Sequence, residues 1–170
     1  MNRVAWPALA IAFLAGCGYH VAGRADLLPK TLRKIHIPAF ANVTTRYKLT
    51  DRLPAAIARE FIGRTRYHVV HKADEADAIL TGSVINYFSY PTVYDPVTGR
   101  ATSVQLSVVV DVKLTERATG VILFHRPVEF RQRYEISVDQ TAYFDESEAA
   151  LERLARDVGR TLVSAILEGF

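Results

Sequence analysis

From residue 102 to residue 115 the chain alternates apolar and polar side chains. Val104, Leu106, Val108, Val110, Val112 and Leu114 share one parity, and Gln105, Ser107, Asp111 and Lys113 share the other. Successive side chains of a strand point to opposite sides. The run is therefore a strand with one face on a core and the other facing solvent or a partner, which is the pattern of an antiparallel sheet covered on one side. Two further long strands flank it. Residues 78–90 are rich in Ile, Val, Tyr and Phe; in residues 121–135, Val128, Phe130 and Tyr134 alternate with Glu129, Arg131 and Glu135. Thr119-Gly120 fits a tight hairpin between the second and third strands. Residues 91–101, holding Pro96-Val97-Thr98-Gly99, read as a longer hairpin loop between the first and second.

A sheet with one apolar face needs a cover, and two stretches supply it. In residues 50–64, Leu53, Ile57 and Phe61 recur every four positions with Ile62 beside them, against a polar face of Arg52, Arg59, Glu60 and Arg64. Thr50 or Asp51 is placed to cap this helix, with Pro54 in its first turn. Residues 145–168 carry a second stripe of Leu151, Leu154, Ala155, Val158, Leu162, Ala165 and Ile166, and Asp145 and Glu148 stand at capping-box spacing. Shorter strands are expected at residues 34–40 and 66–70. The predicted fold is α+β, a two-layer sandwich of a mostly antiparallel four- to five-stranded sheet with two helices on one face.

The N-terminus has a different grammar. Arg3 is followed by an apolar run from Val4 to Ala15, and the run ends in Leu14-Ala15-Gly16-Cys17, which holds the one cysteine of the chain. A basic residue, an apolar stretch and small residues at a cleavage point make an export signal. The run is short of the roughly 20 residues that a membrane span needs. Leu-Ala-Gly-Cys resembles the lipobox of bacterial lipoproteins. The resemblance implies a signal peptide at residues 1–16, a diacylglycerol on the Cys17 thiol and an acyl group on its new amine. Several acyl chains anchor stably without any protein span. Gly18, rather than Asp, after the cysteine favours the outer membrane. Residues 17–33 then read as a lipidated terminus and short linker, and residues 34–170 as one domain. With a single cysteine, no disulfide forms within the chain.

Composition narrows the function. The chain is 49% hydrophobic, enough for a core, and its net charge is +3. Removing Arg3 with the signal leaves +2, less than a nucleic-acid binder usually carries. No phosphate-binding glycine loop, nucleophile elbow or zinc-protease motif is present. His68 and His71 fall on opposite strand faces, which argues against a shared metal, and Asp74, Glu75 and Asp77 read as solvated loop acids. Asn42-Val43-Thr44 matches a glycosylation sequon, a match that three residues often make by chance. No catalytic residue and no cofactor beyond the lipid on Cys17 is expected. More telling are aromatics beside cations at one end of the sheet: Tyr87, Phe88, Tyr90 and Tyr94, with Arg100 closing the loop and Arg126, Arg131 and Arg133 on the last long strand. Rings cover acyl or sugar surface while guanidinium pairs with phosphate, so this set suits a phosphate-bearing amphiphile.

Several stretches, taken in order, resemble one family. Cys17-Gly18-Tyr19-His20-Val21-Ala22-Gly23 is similar to the start of the LptE lipopolysaccharide-assembly lipoproteins. Residues 35–42 resemble that family's first strand, residues 49–61 its first helix, and Ala76-Asp77-Ala78-Ile79-Leu80-Thr81-Gly82 the approach to its long strands. The resemblance implies two helices on a four-stranded sheet and a lipoprotein held at the periplasmic face of the outer membrane. It implies a plug for the LptD β-barrel that helps the barrel assemble and binds lipopolysaccharide on its way outward. It places a basic lipopolysaccharide contact in the central hairpin loop, where Arg100 stands; Tyr94, Arg126, Arg131 and Arg133 are the further candidates. The 76–83 stretch is also similar to outer-membrane lipoproteins that activate peptidoglycan synthases. Those reach inward on long linkers, whereas the first strand here begins about 17 residues after Cys17, a reach of at most roughly 60 Å.

Overall fold

The computed structural model describes residues 27–136 and 140–169, with side chains in the last helix from Ser147 onward. Cys17 and the signal lie outside the described residues. In chain order the elements are β1 (Lys34–His36), β2 (Ala41–Asn42), α1 (Leu49–Arg64), β3 (His68–Val70), a 3-10 turn (Ala73–Glu75), β4 (Ala78–Tyr94), β5 (Ala101–Glu116), β6 (Ile122–Glu135) and α2 (Gln140–Glu168). The sheet order is β3-β1-β4-β5-β6, with β2 also lying along β4. The long β4–β5 and β5–β6 ladders are antiparallel, and the short strands pair in parallel. The architecture is α+β, as the alternation predicted, with six strands instead of four or five. The strand expected over residues 34–40 ends at His36, and the extra strand, β2, forms at Ala41–Asn42 after a connection through Pro38.

The alternation of β5 turns into burial. Val108, Val110 and Leu114 are fully enclosed, and Leu53, Ile57 and Phe61 of α1 and Leu154, Val158 and Leu162 of α2 belong to the same core. Ile62, expected beside the α1 stripe, is exposed. One residue further on is 100° around the helix, and Leu49 and Ala56 complete the buried face instead. The two helices approach closely at Gly159, where an added Cβ would sit 2.9 Å from the Ala56 carbonyl oxygen. Leu28 and Leu32 are also buried, and the Leu27 N–H donates to the Leu167 carbonyl.

One joint ties the short strands to the helix layer. α1 begins at Leu49, so Pro54 lies past the first turn, and neither Thr50 nor Asp51 is the cap. An interior proline leaves the carbonyl four residues back without its helical donor. That carbonyl is Thr50's, and the Phe40 N–H takes it at 3.0 Å. The Phe40 ring then lies over Gly82, where an added Cβ would come within 2.3 Å of it. Asp77, expected as a solvated loop acid, keeps solvent access but is also bound by the backbone. Its Oδ2 accepts the N–H groups of Arg33 and Lys34, both at 2.8 Å, and these bonds hold its pKa below the usual carboxylate range.

The strand ends differ from expectation in two places. β4 runs on to Tyr94, because Pro91 stands where β4 has no outer neighbour among the described residues and no N–H is required. The hairpin loop is therefore residues 95–100. α2 starts at Gln140, so Asp145 is inside the helix; its side chain lies outside the described residues. Glu148 is not part of a cap. It accepts from Lys48 at 2.7 Å and from Arg52.

Candidate ligand-contact surface

Past Val84 the sheet narrows to β4, β5 and β6. Residues opposite one another in a ladder point to the same side, so register sorts the candidates onto faces. Tyr87, Val108 and Phe130 form a row on the helix side. On the open side, Phe88, Ser107 and Arg131 form one row, and Tyr90, Gln105 and Arg133 the next. The open face thus carries rings on β4, a hydroxyl and an amide on β5, and guanidinium groups on β6. Phe88 is 54% exposed and Tyr90 47%.

The two arginines on this face differ in availability. Arg131 Nε and Nη2 each donate to Glu129 at 3.0 Å, and the Ser107 hydroxyl donates to the same carboxylate. This pairing lowers the pKa of Glu129 and raises that of Arg131. The Arg133 guanidinium has no hydrogen-bond or ion-pair partner among the described residues. Arg126 does not join them. It stands opposite Val112, on the helix side, and seven residues from Arg133, roughly 23 Å along a strand.

Tyr94 and Arg100 flank the hairpin tip, which its own backbone fixes. Asp95 Oδ1 accepts the N–H groups of Val97 and Thr98 at 2.9 and 2.7 Å, and the Thr98 hydroxyl as well. The Thr98 bonds come first among the causes that lower the pKa of Asp95. The Asp95 N–H closes on the Arg100 carbonyl at 2.8 Å, and Gly99 takes a positive φ of 66° that the turn requires. Tyr94 is 57% exposed and Val97 91%. Arg100 is exposed, with its backbone held and its side chain free of ion pairs among the described residues. A rigid turn thus presents a cation and apolar groups to the surroundings.

A second basic site was not legible in the sequence. The 42–46 segment folds into a side-chain-closed turn. Asn42 Oδ1 accepts the Thr44 N–H and hydroxyl, Asn42 Nδ2 donates to the Arg46 carbonyl at 2.8 Å, and the Arg46 N–H donates to the Thr44 hydroxyl. The sequon residues are thus the framework of a turn. The turn sets Arg46 over the Tyr87 ring, 5.0 Å from its centroid. Next to it, Arg46, Tyr47, Lys48 and Leu49 face Ser147, Glu148 and Leu151 across a cleft of about 320 Å³. The Lys48 and Arg52 contacts hold the Glu148 pKa low. The Asn-x-Thr spacing was the available signal; the Arg46–Tyr87 contact spans too much sequence to be read from spacing.

Comparison with known proteins gives the same fold repeatedly. Uncharacterized lipoprotein B of Nitrosomonas europaea is 17% identical, with a TM-score of 0.57 over 82% of this chain and 84% of that one. The rare lipoprotein B of Shewanella oneidensis is 12% identical, TM-score 0.52, over 79% and 92%. A minor lipoprotein of Acinetobacter baumannii is 13% identical, TM-score 0.52, over 83% and 95%. At these identities the likeness is one of fold. No curated protein sequence matches the chain. Residues 32–166 match the family described as LptE, lipopolysaccharide-assembly. That span runs from before β1 into the last turns of α2, and the chain belongs to the LptE lipopolysaccharide-assembly family.

Proposed function

We propose that this chain is an outer-membrane lipoprotein, anchored at the periplasmic face through acyl groups on Cys17. It plugs and helps assemble an LptD-type β-barrel and binds lipopolysaccharide on its way to the outer leaflet. Family membership over residues 32–166 carries the reading. Two physical features support it. Leu27 is already hydrogen-bonded to the end of α2, so the tether from Cys17 spans ten residues, at most roughly 35 Å. A domain so tethered stays at the membrane. The hairpin tip, in turn, offers Tyr94, Val97 and Arg100 on a braced turn, where rings and a guanidinium suit a phosphate-bearing glycolipid. Arg131 and Arg133 extend that surface along the open face. The role is binding and assembly, with no catalytic step. Affinity purification of the full chain from outer membranes tests it: a large β-barrel and lipopolysaccharide should be recovered with it. Recovery of a peptidoglycan synthase in their place would assign the chain to the rival role.

A further inference from the structure

We infer that the cleft between the 45–49 segment and α2 is a second phosphate subsite, separate from the hairpin tip and built around Arg46 and Lys48. The inference rests on the lipopolysaccharide-binding reading and deepens it. Three cations, Arg46, Lys48 and Arg52, stand at or beside a cleft where Glu148 is the one facing acid among the described residues. Glu148 occupies Arg52 and one of the three ammonium protons of Lys48. The guanidinium N–H groups of Arg46 have no acceptor among the described residues, yet the group is held in place by Tyr87 beneath it and by the Asn42 turn behind it. A positioned arginine with open donors next to a half-used lysine is what a tetrahedral oxyanion needs. Leu49 and Leu151 supply an apolar floor, and Tyr47, 74% exposed, forms the rim. The occupant that matches both halves is the phosphate of an amphiphile, with its sugar or acyl body against Tyr47. Tyr87 and Tyr94 are seven residues apart on β4, so cleft and tip are separated by roughly 23 Å.

The test is photo-crosslinking in the full, lipidated chain in detergent, with lipopolysaccharide as the probe. Benzoylphenylalanine replaces Tyr47 in one variant and Val97 at the tip in another. The inference predicts adducts from both positions, competition by inorganic phosphate at both, and loss of the Tyr47 adduct alone when R46E and K48E are combined. That pair should weaken cleft capture about tenfold. E148Q keeps the packing volume but removes the resident carboxylate, so capture at Tyr47 should rise. Adducts at Val97 but none at Tyr47 would overturn the cleft and leave the tip standing. Undiminished Tyr47 capture by a folded R46E/K48E variant would overturn it too, since the contact would then be apolar only. Adducts at neither position would remove the cleft together with the lipopolysaccharide reading itself.

Discussion

The two faces of β5 are made by one stretch of chain and do different work. On the helix side, Val104, Leu106, Val108, Val110, Val112 and Leu114 are all buried and belong to one core with residues of both helices. On the open side, Gln105 lies between Tyr90 and Arg133, Asp111 between Ser83 and Pro127, and Lys113 between Thr81 and His125; these three stay partly or fully exposed, whereas Ser103 and Ser107 are buried. Folding uses the first face completely. The second contributes little to the hydrophobic core, so its exposed residues are available for contact with something outside the chain. Stability and recognition are thus separated by parity, one residue apart.

The sharpest way to break that comparison is a charge on the covered face. Val108→Asp buries a carboxylate without a partner, which costs on the order of 3–5 kcal/mol or forces the group to stay neutral. A domain has about 5–15 kcal/mol to lose, so the variant should melt far earlier or fail to fold, as circular dichroism would show. A fold that survives unchanged would mean that the parity assignment is wrong. Next in size is Gly82→Val. Its side chain would enter the space of the Phe40 ring, and overpacking of this kind costs about 1–3 kcal/mol. Denaturant unfolding would read the loss.

A smaller effect comes from Asp77, and it depends on pH. Asp77, Glu129 and Glu148 all have folded-state pKa values below their ordinary ones, 3.8 for the Asp and 4.5 for the two Glu. The unfolded chain therefore binds more protons in acid, and stability rises with pH through this range. It should be constant above about pH 5 and fall as pH drops through 4.5 and 3.8 and on through the lower folded values. Asp77→Ala should cost about 1 kcal/mol at neutral pH, kept modest by the solvent access of the group. The cost of the same substitution should shrink as pH falls below 3.8 and the Asp77 carboxylate takes up its proton. Melting curves across pH would show the two converge. Smallest of all, Arg133→Ala on the open face should change stability by no more than about 0.5 kcal/mol.

Much of this was legible in the sequence where the signal was periodic. The alternation of β5, the i, i+4 stripe of Leu53, Ile57 and Phe61, and the α2 stripe each fixed an element and its buried side. What escaped was contact between residues far apart in the chain. Pro91 reads as a strand breaker until the missing outer neighbour of β4 is known. Pro54 reads as a first-turn residue until the Phe40 N–H is found on the Thr50 carbonyl. Glu129, two positions before Arg131 on the same strand face, claims its guanidinium, a pairing that the strand spacing allows. Arg126 shares a strand with Arg131 and Arg133, but its parity puts it on the other side. Lys48, Arg52 and Glu148 meet from elements about a hundred residues apart, which no local pattern encodes.

Recognition at the exposed tip is separable from the fold that the helix-side face of β5 carries. That separation is tested most directly by Arg100→Asp in the full chain, with labelled lipopolysaccharide binding and thermal melting measured on the same samples. The prediction is a melting temperature within about 2 °C of wild type, retained association with the barrel, and lipopolysaccharide binding at least about tenfold weaker. Equal binding by two equally stable proteins would contradict it.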